Sequence, residues 1–297
     1  GQQRDYKGMV ESYTALLKHF PDSKAKPEAL FWIGWGQYEV RNFEESATAL
    51  RQARELDRAT YFTRATLRII LSEYALQKVD AVRKEIEGLP IGGGGVDVPP
   101  QVFLWLGVKM FDTGDYAAAT RFLNRAVTPS DPAATQAVVW KRLGQAALYS
   151  DNPKDAIVAF DRYLQSHQPP TNRARVLHDK AVAHLALGNY RKAETVVEEA
   201  LGLQPQSRVY GQLCNLWGEI AIRQGEWERA VQRLVKPTYA IDDEDITPTA
   251  IYKSARAHQE LGQTEKAEEL RARLKAKFPA YKDDQDAIKG LPPAPAA

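Results

Sequence analysis

The sequence predicts an all-α protein built as a linear array of antiparallel helix pairs. Three observations carry this. A small residue recurs every 37 positions at Gly107, Gly144, Ala181, Gly218 and Ala255. A second small residue follows it at Ala119, Ala156, Ala193, Ala230 and Ala267. Between the two series lie turn formers: Gly114-Asp115, Asp151-Asn152-Pro153, Gly188-Asn189, Gly225-Glu226 and Gly262-Gln263. A turn inside a sustained period marks stacked supersecondary units, each too small to bury its own apolar face.

Residues 1–25 are expected to form the second helix of an incomplete pair. Tyr6, Met9, Tyr13 and Leu16 share a helical face, and Phe20-Pro21-Asp22-Ser23 ends it. They align with Tyr116, Ala119, Leu123 and Ala126, so the first helix of that pair is missing and the chain reads as a piece of a longer protein. Residues 26–91 give two pairs. The first runs through Leu30, Ile33, Gly34 and Tyr38, breaks at Arg41-Asn42, and continues through Phe43, Leu50 and Ala53. Asn42 with Glu45 predicts an N-cap with a capping box. The second pair is degenerate, with Leu67, Ile70, Leu71 and Tyr74 on one face and a shifted second helix.

Residues 92–100, four glycines followed by Val-Asp-Val-Pro-Pro, are expected to be a flexible connector and the place where the array would bend. No Gly-Lys-Ser/Thr follows the glycines and no strand precedes them, which argues against a phosphate loop. Residues 101–281 hold five pairs at the 37-residue step. Glycine is expected as the left-handed residue closing the first helix, and Asp115, Asn152 and Asn189 as caps of the second, with Pro153 at its first position. In the last pair Thr264 and Arg271 replace apolar residues, as suits a terminal unit. Residues 282–297 read as a short cap, Asp283 to Leu291, and a Pro/Ala tail.

These residues resemble the tetratricopeptide repeat, whose pattern places Trp, Leu-Gly and Tyr on the first helix and Ala, Phe and Ala on the second. Trp140, Leu143-Gly144, Ala156, Phe160 and Tyr163 carry the resemblance well, as do Phe103, Leu106-Gly107, Ala119, Leu123 and Ala126. It spans residues 5 to 279 and departs from the family in its step of 37. The resemblance implies a right-handed superhelical solenoid, with first helices lining a concave face that holds a peptide or helix of another protein. Carried over unit by unit, that face comprises Phe31, Trp35 and Tyr38; Leu104, Val108 and Phe111; Lys141, Gln145 and Tyr149; Arg175, His178 and Val182; Asn215 and Glu219; and Tyr252 and Arg256. Its amino-terminal half is aromatic and its carboxy-terminal half polar and mildly basic, so a partner with an apolar anchor and an acidic flank is expected. The competing reading is that Phe31 and Trp35 pack on the degenerate repeat. The Lys and Asn clamp that some family members use for acidic chaperone tails is not reproduced, since Lys141 and Gln145 are followed by Asp179, Gln212 and Leu216.

Composition narrows the function classes. With 40 basic and 38 acidic residues and no long run of one sign, a strong field for nucleic acid or membrane is not expected. No apolar run approaches the roughly 18 residues of a membrane span. The five histidines are scattered: His19 ends a helix, His167 lies beside Pro169-Pro170, His184 and His258 fall at packing positions, and His178 faces the groove. No catalytic cluster, cofactor motif or metal set emerges. Asp242 to Asp245 lacks the spacing of a calcium loop and reads as a solvated connection. Trp32, Trp105, Trp140, Trp217 and Trp227 fall at packing positions; Trp35 does not. Cys214 excludes an internal disulfide.

The expected function is that of a non-enzymatic interaction scaffold. Alternatives are a self-assembly module pairing copies through Tyr6, Met9 and Tyr13, or an accessory domain of a larger enzyme. Leu17 to Ser23 followed by Ala29 to Gly34 is similar to repeats of bacterial envelope proteins, such as the outer-membrane assembly lipoprotein and the Tol–Pal coordinator. That resemblance implies the periplasm or cell envelope, with the cytoplasm as the alternative.

Overall fold

The computed structural model describes residues 5–127, 135–166 and 168–282. The described residues hold 15 α-helices and no strand. They divide into two compact units, one within Gly1–Pro132 and one within Ala133–Ala297. His167, the expected cap from Asp283 to Leu291 and the Pro/Ala tail lie outside the described residues.

The first unit contains α1 (Tyr6–His19), α2 (Lys26–Glu39), α3 (Phe43–Leu56), α4 (Arg58–Ala75), α5 (Val79–Glu87), α6 (Pro100–Asp112) and α7 (Tyr116–Ala126). The second contains α8 (Ala137–Tyr149), α9 (Pro153–Gln165), α10 (Pro170–Ala186), α11 (Tyr190–Gly202), α12 (Ser207–Arg223), α13 (Trp227–Tyr239), α14 (Ile246–Glu260) and α15 (Thr264–Lys277). Each first helix packs on the second helix of its pair, and the first helices α8, α10, α12 and α14 also touch in succession. Both units are solenoids of helix hairpins.

The recurring small residue works by letting one large side chain in. A Cβ at Gly107 would lie 2.6 Å from Leu123 Cγ, at Gly144 2.4 Å from Phe160 Cε1, and at Gly218 2.6 Å from Leu234 Cγ. Gly34 stands in the same relation to Leu50, at 2.6 Å. In each of these pairs the glycine leaves room for the large residue sixteen positions on. The position twelve on also meets the first helix in the first pair, where the Ser46 hydroxyl donates to Gly34 O at 2.8 Å, and its counterparts Ala119 and Ala156 are fully buried.

Local signals are mostly met. Gly114, Gly188, Gly225 and Gly262 all take positive φ between +70° and +82° at the inter-helix turns. Asp115 caps α7 through the Ala118 amide at 3.1 Å, and Asn152 meets the Asp155 amide at 3.4 Å. Asn189 stands at the start of α11 with no side-chain cap bond. The capping box expected at Asn42 does not form: its side-chain amide donates to Gln37 Oε1 at 2.8 Å instead. The backbone turns there on Arg41, at φ 67°, which brings Asn42 back over α2.

The degenerate pair is held by charge as well as packing. Arg54 reaches Glu85 at 2.7 Å, and Arg51 pairs with Glu73 and, at 3.3 Å, Glu85. This ties the nine-residue α5 to α3 and α4. The glycine run that follows forms a turn in which Gly94 O accepts the Thr63 hydroxyl at 3.2 Å, with Val96 and Val98 buried. α1 lies along α2, where a Cβ at Gly36 would meet Val10 Cγ2 at 2.5 Å and Met9 Cε at 2.9 Å. Tyr6, Met9 and Tyr13 are half-buried.

Candidate interaction groove

In the first unit, the predicted aromatic face is occupied by its own chain. Phe31, expected to be exposed, is only 1 % accessible and belongs to the core with Leu30, Leu50 and Ile69. It stacks on Tyr61 of α4 at 4.9 Å and meets Trp32 at 5.4 Å and Trp35 at 5.8 Å. The physical cause is the neighbouring first helix: α4 packs beside α2 and covers the residue. Trp35 is half-buried beneath Arg68, whose guanidinium lies 3.4 Å from the ring centroid and 4.5 Å from Tyr38. Arg68 is in turn held by Glu39 at 2.9 Å. Such stacks use the π faces that a partner would otherwise need. Leu104, Val108 and Phe111 are half-buried on α6, and Phe111 sets its edge against Tyr116 at 5.3 Å.

The second unit holds an open groove. Three successive first helices, α8, α10 and α12, enclose a cavity of about 530 Å³. Lys141, Gln145 and Tyr149 line it from α8, and Arg175 and His178 from α10, all five anticipated from the repeat register. They share it because a 37-residue step returns each first helix to the same face. Leu148, Val182 and Val209 form an apolar floor, each at most 3 % exposed. Val182 is therefore floor rather than exposed lining. Arg208 and Gln212 complete the wall from α12.

The walls are polar and carry an excess of positive charge. Asp179 accepts from Gln145 Nε2 at 2.9 Å and lies 3.2 Å from His178 Nδ1. Arg208 is engaged by Asp243, at 2.8 Å, and by Asp245, both from the connection between α13 and α14. That acidic run, expected to be solvated, is thus partly used: Asp243 also accepts from the amides of Asp245 and Ile246. Lys141 and Arg175 have no carboxylate within 4.0 Å among the described residues. Burial, together with Arg142 and Arg175, pushes the Lys141 ammonium below its usual range, and Asp179 only partly offsets them.

The groove does not continue past α12 as the repeat register predicts. Asn215 is 8 % and Glu219 4 % exposed. Asn215 donates to Ile246 O at 3.0 Å; Glu219 pairs with Lys253 at 3.2 Å and Arg223 at 2.8 Å. The cause is Gly211: a Cβ there would meet Ile246 Cγ2 at 2.8 Å, so its absence lets the start of α14 settle onto α12. Tyr252 and Arg256 remain half-buried on α14, outside the groove lining. Burial raises the Glu219 pKa, but Lys253 and Arg223 outweigh it and hold the carboxyl below the usual range.

Arg208 escapes the register argument. Arg208 stands in the first turn of α12, off the 37-residue ladder, and only its reach into the acidic connection reveals it. Among the other histidines, His184 is buried and His258 faces Gln263 at 2.5 Å. The tryptophans expected in the core are all half-buried. Trp217, for example, lies under Arg233 at 4.4 Å. No group of three potential metal ligands occurs among the described residues, and no described helix is long and apolar enough to cross a membrane.

Comparison with known proteins bears on the repeats directly. Residues 141–208 and residues 249–281 each match a tetratricopeptide repeat family model. No curated protein matches the chain in sequence. Among solved structures the chain is similar to MamA, at 18 % identity, covering 60 % of this chain and 94 % of that one, with a TM-score of 0.47. It is also similar to the C-terminal part of a TPR repeat-containing protein from Cytophaga hutchinsonii (16 % identity, 88 % and 99 % coverage, TM-score 0.46). A third is PilW, described as a type IV pilus biogenesis factor (14 % identity, 88 % and 97 % coverage, TM-score 0.44). The first of the matched segments contains the α8-to-α12 groove residues from Lys141 to Arg208, and these two segments of the chain carry tetratricopeptide repeats.

Proposed function

We propose that this protein is a non-catalytic scaffold that holds a segment of a partner protein in the α8–α10–α12 groove. The observation that carries the reading is the groove itself: about 530 Å³, with a buried apolar floor and polar walls drawn from three consecutive repeats. Tetratricopeptide repeats generally serve as protein-interaction scaffolds, and an open recess of this kind suits an extended peptide or one helix face. The aromatic cluster of α2 and α4 is structural in this reading, since its rings are stacked on one another and on arginines. The similarity of Leu17 to Ser23 and Ala29 to Gly34 to envelope repeats supports a place in a bacterial envelope or surface-machinery complex.

The test is affinity capture from the native cell with Gln145→Trp as the control. A tryptophan at that position fills the groove whatever the charge of the ligand. Loss of one specific partner with the helical circular-dichroism signal intact is the expected result. A partner retained at wild-type yield by the Gln145→Trp protein removes the groove from the account.

A further inference from the structure

We infer that the cavity between the end of α15 and the α13–α14 connection is a second binding site, which takes a basic side chain of a partner protein together with an apolar neighbour. It shares no lining residue with the α8–α10–α12 groove and stands whether or not that groove is occupied. The site accounts for the acidic run that Arg208 uses only in part. The four acids divide by alternation: Asp243 and Asp245 meet Arg208 of α12, while Asp242 and Glu244 line a separate cavity of about 660 Å³. Asp242 is met by Lys277 at 2.7 Å, but both side chains are exposed, and a solvated pair of this kind exchanges readily for another cation. Glu244 is exposed and has no cation within 4.0 Å among the described residues.

The rest of the lining says which cation fits. Phe278 and Tyr281 are half-buried in the wall, beside the buried Pro248. The Tyr281 amide donates to Phe278 O at 3.0 Å, which turns the chain back after α15 and sets the Tyr281 ring 6.0 Å from Tyr252 of α14. Lys277 already displays the chemistry. Its ammonium meets Asp242 while lying 5.5 Å from the Phe278 ring centroid, a cation between a carboxylate and a π face. A lysine or arginine of a partner repeats that arrangement at Glu244, and the ring-lined wall removes its apolar neighbour from water. A bare metal ion is a poor match, because it gains nothing from the rings and no three potential ligands come together among the described residues.

The experiment is fluorescence anisotropy on the full chain, using a labelled peptide in which Leu is flanked on both sides by Lys, beside a copy with every Lys acetylated. The basic peptide should bind at least about tenfold more tightly than the acetylated copy, with the difference shrinking as salt is raised. Glu244→Gln should weaken the basic peptide by about threefold, and Asp242→Asn with Glu244→Gln should remove most of its advantage over the acetylated copy. Lys277→Met, which frees Asp242 for the ligand, should strengthen it by about twofold. Glu244→Gln should keep the wild-type unfolding midpoint, since Glu244 is exposed and holds no ion pair among the described residues, and this separates lost binding from lost fold. Glu198→Gln, on the exposed face of α11, and Gln145→Trp, in the groove, should both bind as the wild type does. Equal affinity for the two peptides overturns the inference, as does full binding by the double variant. Equal weakening by Glu198→Gln would mean attraction to any surface acid, and loss in Gln145→Trp would move the peptide to the groove; either overturns it. Binding of spermidine without the basic peptide overturns it in favour of a small polyamine. Self-association that Glu244→Gln abolishes, with no peptide binding, overturns it in favour of a second copy of the chain.

Discussion

Replacing Gly144 by alanine tests the packing rule on which the array is built. In an open helix this change is favourable by about 0.8–1 kcal/mol, because alanine loses less backbone entropy. Here the new Cβ would stand 2.4 Å, 2.6 Å and 2.9 Å from Cε1, Cδ1 and Cζ of Phe160. Phe160 is fully buried among Ala147, Leu177 and Ala181, so the ring has nowhere to retreat. Overpacking of this kind costs about 1–3 kcal/mol, so after the propensity gain of about 1 kcal/mol a net loss of up to about 2 kcal/mol is expected. Gly202 is the internal control: it lies at the end of α11 with nothing within 4 Å of where a Cβ would stand, and Gly202→Ala should stabilise by about 0.5–1 kcal/mol. Urea unfolding followed by circular dichroism at fixed pH measures both. Phe160→Leu should partly rescue Gly144→Ala by giving the methyl room. If Gly144→Ala is as stable as Gly202→Ala, the glycine is not there for Phe160 and the reasoning fails.

Three further outcomes follow from buried charge and aromatic packing. Glu219→Gln takes the carboxylate from Lys253, itself 1 % exposed, and from Arg223; it should cost about 3 kcal/mol or more, whereas Glu219→Leu with Lys253→Met should recover most of that loss in the same unfolding assay. Glu85 and Glu219 are both held below the usual carboxylate range, by Arg54 with Arg51 and by Lys253 with Arg223, against burial. Carboxyls with depressed folded-state pKa values contribute stability that is present above the unfolded value and lost as pH falls through the folded one. The urea midpoint should therefore hold from pH 7 to about 5 and decline below about 4.5, less steeply in Glu219→Gln. Trp35→Ala removes the ring between Phe31 and Arg68 and should destabilise by about 2–3 kcal/mol; an unchanged midpoint would return Trp35 to the free binding surface.

The helix pairs are legible because the 37-residue recurrence of a small residue reflects a tight crossing, one with no room for a Cβ at Gly107, Gly144 and Gly218 and occupied by only a methyl at Ala181 and Ala255. What periodicity does not supply is which neighbour uses the space. Gly144 is legible as a close approach, but only the structure shows that the Phe160 ring takes the space. Phe31 shares a helical face with Trp35 in the sequence, but Tyr61 and Arg64 of α4 close over it. The same limitation hides the end of the groove: the register extends it through Asn215 and Glu219, while Gly211, a second small residue on α12, brings Ile246 down upon them. The five groove residues from Lys141 to His178 are found because no side chain intervenes there. Arg208 is missed because first-turn residues project off the ladder.

The most direct test of the central claim is site-specific photo-crosslinking in the native cell, with benzoyl-phenylalanine placed at Gln145 in the groove or at Glu198 on the exposed face of α11. The account predicts a discrete partner adduct from position 145 and none from position 198. Adducts of equal yield from both positions, or from position 198 alone, would contradict it.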